Sequence, residues 1–482
     1  MAVEFGGLRV EGSGLAVSPR VAAGLAPRGR GRGPLRPPVL LPLPLSLLLV
    51  LAATSPAPLV GDAARALAAE PWRQIDEAAA AAAGVRTLVG KHLLLLTDLA
   101  PKAEVDALPA MFDQAYPQWC AYFGVDPVQH AAWRVRGFVI QDKPLFRRLG
   151  LLPEGLPPFP DGFAAGREFW VYEQASDYYR AHLVLHEGTH AFMANLLGGF
   201  GPIWYMEGMA ELLATHRWKD GKLVLNHFPA SREEVPLWGR IKIIKDHLAA
   251  RRGKTFKAVL QTRPEAQQVT EAYAWYWAAA ALLDRHPRYQ PRFRQMARLV
   301  TAPDFTERFQ RSIGDDWDHL AEEWKVFVAD LEYGYDVPKT AIDFTPGKPL
   351  AAAGATVTLA ADRGWQNSGV RLEAGQTYRL RATGRYQVAN RPPIWWCEPG
   401  GVSIRYYRGR PLGILLAAVW PDPPSPTGIS PLIAPITVGL GTTLAPKQAG
   451  TLLLRINDSA GELGDNAGTL AVEVRREGES EE

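Results

Sequence analysis

Residues 181–216 read A-H-L-V-L-H-E-G-T-H-A-F-M-A-N-L-L-G-G-F-G-P-I-W-Y-M-E-G-M-A-E-L-L-A-T-H. Within them, His186 and His190 stand four apart around Glu187, the H-E-x-x-H arrangement. On a helix this spacing sets two imidazoles on one face, one turn apart, where both reach a single zinc ion. Glu187, next to the first imidazole, is placed to act on water rather than on the metal. Tyr179, Leu183, Leu185 and Phe192 supply the apolar surface of a buried helix. His182, one turn before His186, reads as a neighbour, since the motif already has its two imidazoles.

A catalytic zinc site needs a third protein ligand and one open position. The run Gly198-Gly199-Phe200-Gly201-Pro202 ends the first helix, and Ile203–Leu213 resumes helical spacing with Glu207 and Glu211. Glu207 is the expected third ligand: the interval allows a helix to end, a loop to reverse and a second helix to return alongside. The metzincin pattern would require a glycine and a histidine where Met193 and Leu196 stand, so that class is excluded.

Together, H186-E187-G188-T189-H190 and W204-Y205-M206-E207-G208-M209-A210-E211 resemble a gluzincin metallopeptidase of the peptidase MA-like group. The resemblance implies Glu207 as third zinc ligand, Glu187 as general base, and Glu211 as the carboxylate that hydrogen-bonds a ligand imidazole. The interval from His190 to Glu207 is a little shorter than in thermolysin or the aminopeptidase gluzincins, which leaves Glu211 as a second candidate ligand. The likeness spans roughly residues 85–335 and rests on these two motifs. It also implies that a tyrosine or histidine of the later helical region faces the metal and stabilises an oxyanion; Tyr276 is the choice here, with Tyr273 as its rival.

At 482 residues, 47% of them hydrophobic, the chain has room for two or three packed domains, and a net charge of +3 selects no partner. Arg20, Arg28, Arg30, Arg32 and Arg36 precede an apolar run from Val39 to Ala53 and small residues up to Ala57. This is the pattern of a secretory signal with a basic lead over 1–57. The run is about fifteen residues and contains Pro42 and Pro44, short of the ~20 that span a bilayer, so no stable membrane span is expected in the mature chain. An exported location follows, whether periplasmic, cell-surface or extracellular. Cys120 and Cys397 read as two buried thiols of separate domains, with an interdomain bridge as the alternative.

An Ala-rich segment, 58–84, contains a predicted helix over Ile75–Ala83. The spacing then predicts a strand at Leu93–Leu96, a helix over Lys102–Phe123 and a strand at Trp133–Ile140. After the Pro/Gly-rich passage Pro144–Gly166 comes a strand at Glu168–Tyr172. In gluzincins the strand at this position offers a free edge to extended substrate, and that edge is expected here. Val235–Tyr333 reads as largely helical, with Leu248, Val259 and Leu283 in the core.

Composition changes after Tyr335. Glycines, prolines and alternating runs at Thr377–Ala382, Val402–Tyr406 and Thr451–Ile456 predict an all-β sandwich over 340–476, followed by an acidic tail, 477–482. The segment N457-D458-S459-A460-G461-E462-L463-G464-D465-N466-A467-G468-T469-L470 is similar to the calcium loop of PA-IL-type galactose-binding lectins, and Trp365-Gln366-Asn367-Ser368-Gly369-Val370 fits the same sandwich. The resemblance implies Ca²⁺ bound by the side chains of Asp458, Asp465 and Asn466 and the backbone carbonyl of Glu462, with Tyr386 near the place of the family's tyrosine. Trp395-Trp396-Cys397-Glu398 replaces the region that carries the family's sugar-contacting histidine.

The expected fold is thus multidomain: an α+β zincin-like metallopeptidase domain over 85–335, then an all-β, galactose-binding-like sandwich. The expected function is zinc-dependent hydrolysis of a peptide or protein, with a carbohydrate-binding module. The rival is a secreted adhesion protein whose zincin part is an inactive scaffold. No G-x-S-x-G elbow and no G-x-x-x-x-G-K-[ST] loop occurs, and the basic cluster lies in the segment to be removed, so serine hydrolysis and nucleic-acid binding are not expected.

Overall fold

In the computed structural model, which describes residues 72–262, 270–421 and 430–478, a helix α1 (Glu77–Ala82) leads into a five-stranded sheet. Its strands are β1 (Arg86–Val89), β2 (Leu93–Thr97), β3 (Val135–Ile140), β4 (Gly162–Ala165) and β5 (Glu168–Tyr172), in the order β1-β2-β3-β5-β4. β2, β3 and β5 run parallel, and β1 and β4 close the two sides antiparallel. Parallel strands need a crossover, supplied between β2 and β3 by α2 (Leu108–Phe123). Period-two alternation then divides the side chains. Leu93, Leu95, Val135, Val139, Phe169 and Val171 face one core, while Leu96, Phe138, Ile140 and Trp170 face another with Phe146 and Leu151. With both faces covered, β3 is buried at every position, as a central parallel strand should be.

Among the helices that follow are α3 (Asp177–Phe192), α4 (Ile203–Ala214), α5 (Arg240–Ala249), α6 (Thr270–Arg285) and α7 (Trp317–Asp330). Val259 and Leu283 are fully buried; Leu248 lies at the margin of the core, half-buried. Two features differ from expectation. The long helix expected from Lys102 breaks at Ala107, ahead of Pro109 in the first turn of α2. The free edge expected on Glu168–Tyr172 is absent, because β4 folds back from the Pro/Gly-rich passage and pairs Ala165 to Glu168 through Gly162 to Val171. Among the described residues the open edge therefore belongs to β4. No alternating apolar run marked that strand.

From 348 on the chain is β-rich. Strands β6 (Lys348–Pro349), β7 (Ala355–Ala360), β8 (Gln366–Leu372), β9 (Tyr378–Thr383), β10 (Leu415–Pro421), β11 (Ile436–Thr437), β12 (Gly441–Leu444), β13 (Gly450–Ile456) and β14 (Thr469–Arg476) form two sheets, β11-β10-β13-β8-β6 and β12-β9-β14-β7. One core lies between them, with Leu372, Leu415, Leu452 and Leu454 from the first and Leu359, Leu380, Val472 and Val474 from the second. The run Val402–Tyr406, expected in a sheet, lies in a strand Val402–Tyr407 that among the described residues pairs only within a hairpin with Arg410–Leu412, and Ile404 is 83% exposed.

The described residues belong to one compact unit, and a third core of Val326, Ile342, Phe344, Trp365, Trp420 and Leu453 joins its two parts. Polar contacts add to the joint: Arg408 and Arg455 both pair with Asp330, and Ser459 Oγ donates to Glu332 Oε2 at 2.7 Å. Cys120 and Cys397 are free and buried. The leader over 1–57, the segment 58–71 and the last four residues of the acidic tail lie outside the described residues. Among those described, no helix is long and apolar enough to cross a membrane.

Candidate metal centre and carboxy-terminal loop

Helix α3 starts at Ser176, whose Oγ accepts from Tyr179 N at 3.2 Å, an ordinary N-cap. It is buried from Arg180 to Phe192, and it packs so tightly on α2 that a Cβ on Gly188 would stand 2.4 Å from the Phe112 ring. A bulkier residue in the middle of the motif would push the two helices apart. After a π-helical turn the chain passes Gly198 in the left-handed region (φ 73°) and re-enters helix at Ile203, behind Pro202. Gly208 then lets α4 approach α6 closely: a Cβ there would lie 3.1 Å from the Tyr276 carbonyl.

These contacts bring three donors together. His186 Nε2 and His190 Nε2 are 3.1 Å apart, and Glu207 Oε2 lies 3.2 Å from the first and 3.3 Å from the second. Two ligands of a tetrahedral zinc ion, each at ~2.0–2.1 Å, stand about 3.3–3.4 Å apart. The triangle and the mixed nitrogen–oxygen donor set therefore fit zinc. Burial disfavours a charged His186, yet the nearby carboxylates of Glu207 and Glu211 outweigh that and push its imidazolium up to about 10, while Glu207 is held well below the usual carboxylate range against the same burial cost. The carboxylates thus demand a cation at this point, either a proton or a metal.

Glu187 is buried on the same helix, and burial raises its carboxyl above the ordinary value despite both imidazoles. Its Oε1 lies where a Cβ on Gly162 would come within 2.5 Å, so the first residue of the open edge strand β4 has to be small. Of the two tyrosines, Tyr273 sits at the site: its ring centroid is 6.0 Å from that of His186, and burial, then the charges of Glu207 and Glu187, push its phenol above the usual range. Tyr276, the choice from sequence, is 0% exposed in the apolar core, with its carbonyl facing Gly208. Helical spacing placed both on one element, and only the packing of α6 on α4 separates them.

Behind the triangle, Glu211 lies 3.5 Å from His186 Nδ1 and 3.5 Å from His182 Nε2. Arg240 forks onto it, Nε to Oε2 at 2.9 Å and Nη2 to Oε1 at 2.8 Å. Burial opposes both charges, but their pairing outweighs it, keeping Glu211 well below and Arg240 above their ordinary values. Arg240 carries no motif signal and was missed in the sequence.

In the carboxy-terminal loop, Asp458 accepts from Ser459 N at 2.7 Å and from Asn466 Nδ2 at 2.9 Å. Burial, the largest cause, pushes Asp458 up to about 6. Asn466 Oδ1 and Asp465 Oδ1 are buried with no hydrogen-bond partner among the described residues, and a Cβ on Gly468 would lie 3.5 Å from Tyr386 Cα. Orphaned hard oxygens beside a buried carboxyl fit calcium. The Glu462 side chain points outward to Arg405, at 3.4 Å, and its backbone carbonyl accepts from Asp465 N at 3.1 Å.

No family model matches this chain, and no curated protein matches it. Among solved structures, the chain is similar to one described as "EclA N-terminal domain; PllA-like lectin", at 24% identity over 25% of this chain and 95% of that one, with a TM-score of 0.20. It is also similar to "IMPa metallopeptidase in complex with T-antigen", at 15% identity over 73% of this chain and 38% of that one, with a TM-score of 0.16. At these scores neither likeness assigns a fold or an activity. The residues themselves have to carry the functional reading.

Proposed function

We propose that this chain is an exported zinc-dependent metallopeptidase of gluzincin type, with a zincin-like catalytic part and a galactose-binding-like carboxy-terminal module that holds calcium and contacts carbohydrate. The observation that carries the reading is the triangle of His186, His190 and Glu207, with Glu187 buried beside it on the same helix. Zinc held there would polarise the scissile carbonyl and lower the pKa of water. Glu187 takes the proton of the attacking water and returns it to the leaving amine nitrogen; its raised pKa suits both halves of that transfer. Tyr273, kept protonated by its surroundings, donates a hydrogen bond to the oxygen on which negative charge develops. An extended peptide adds to the open edge of β4, so its backbone passes above Glu187 at Gly162.

The deciding experiment is metal analysis of the purified chain together with digestion of a broad peptide library. One zinc per chain at this site and cleavage abolished by a chelator are expected. A chain that holds zinc and cleaves nothing would be the scaffold of an adhesion protein instead.

A further inference from the structure

The described residues hold two cages of metal-ligating side chains, not one, and both include His186. His186, His190 and Glu207 form the first; His182, His186 and Glu211 form the second, on the opposite side of the His186 ring. Each offers two imidazoles and one carboxylate. Burial does not separate them either, since His182 is 0% and Glu211 1% exposed, and His182 Nδ1 has no hydrogen-bond partner among the described residues. What differs is a guanidinium. Arg240, itself 3% exposed, occupies both oxygens of Glu211, and its remaining contacts, Nη1 to the Trp238 carbonyl at 3.1 Å and Nη2 to Tyr179 Oη at 3.3 Å, fix the plane of the fork.

We propose that Arg240 is the positioning residue of this metal site: its fork holds Glu211 behind His186 and bars that carboxylate from forming the second cage with His182. The inference rests on the zinc reading of His186, His190 and Glu207. A divalent ion at the Glu211 oxygens would stand beside a buried positive charge, where like charges are poorly screened. With both oxygens engaged, the carboxylate also keeps one orientation toward His186 Nδ1, so that His186 Nε2 faces His190 and Glu207. Only arginine does both, because its planar donors engage two oxygens at once whereas a lysine ammonium is a single point charge. The residue is presented from the first turn of α5, immediately after Gly239 in the left-handed region (φ 65°), which brings the loop end under α3 and α4.

The test is zinc affinity of the full-length chain, measured by competition with a chelator, together with the visible spectrum of the cobalt-loaded protein. Arg240→Gln should bind zinc about 10- to 100-fold more weakly than the parent, with Arg240→Lys between them. The cobalt spectrum of Arg240→Gln should show a second species, and adding His182→Gln in that background should remove it. A folded Arg240→Gln with parental zinc affinity and an unchanged single spectrum overturns the proposal. If that variant does not fold, Arg240→Met with Glu211→Met removes both buried charges together, a change buried pairs often tolerate; the pair should still bind zinc about 10- to 100-fold more weakly, and parental affinity would refute the assignment. A parental chain that takes up no zinc would instead defeat the proposed function itself.

Discussion

On the α3–α4 pair the donors point at one another; in the loop 458–466 they point mostly at amides. His186, His190 and Glu207 meet within 3.3 Å, on helices held apart and together by Phe112, Gly188, Gly208 and Tyr276, and their carboxylate demands a positive partner. Asp458 instead already accepts two N–H groups, and the loop is further held from outside, Ala460 packing in the larger core and Asp336 N donating to its carbonyl at 3.1 Å. A site built on two rigid helices has its geometry set before the ion arrives. In a loop whose Asp458 is already hydrogen-bonded and which is held from outside, an ion adds stability to a conformation that forms anyway. The first should therefore be required for activity and the second for robustness.

That contrast is open to experiment, beginning with the largest effect. His186→Ala should abolish zinc binding and reduce turnover to background, with metal content and peptide cleavage as the two readings; retained zinc would mean that the cage lies elsewhere. Glu187→Gln should keep the metal and lose about 10²- to 10⁴-fold in kcat, and a parental rate would remove the general base. Tyr273→Phe should cost about 10²- to 10³-fold in kcat with little change in KM. Equal losses in Tyr276→Phe would return the role to the residue chosen from sequence.

The pH dependences sharpen the same comparison. Because His186 retains its proton up to about pH 10 in the metal-free triangle, zinc has to displace it. Apparent zinc affinity should rise about tenfold per pH unit below that point, with proton release seen by calorimetry in buffers of different ionisation enthalpy. In the loop the sign concerns stability. Asp458 is raised from its ordinary 3.8 to about 6, so the stabilisation it gives when protonated is present below about pH 4 and lost as pH rises through 6. Calcium at a hundredfold excess over its Kd should add about 2.7 kcal/mol to unfolding above pH 6 and almost nothing below pH 4, read from melting curves with and without chelator. An equal calcium effect at both pH values would show that Asp458 is not a ligand.

Much of this was legible before any coordinates. Leu93–Leu96, Glu168–Tyr172, the two helices of the motif and Thr451–Ile456 follow from apolar periodicity and Gly/Pro punctuation. β4 was not, because Gly162-Phe163-Ala164-Ala165 has neither β-branched residues nor alternation and becomes a strand only through pairing with β5. The run Val402–Tyr406 failed in the other direction: its pattern suits a sheet, yet among the described residues the strand that contains it pairs only with Arg410–Leu412.

By itself the sequence determined which residue types stand one helical turn apart, and hence that His186, His190 and Glu187 share a helix, since that spacing is set by local backbone geometry. Tertiary structure alone decided that Glu207 rather than Glu211 closes the triangle, that Tyr273 rather than Tyr276 faces it, and that Arg240 claims the remaining carboxylate. Those choices depend on how closely helices distant in sequence pack and how each is rotated about its axis. Side-chain volume across the contact governs both, and no local spacing records it.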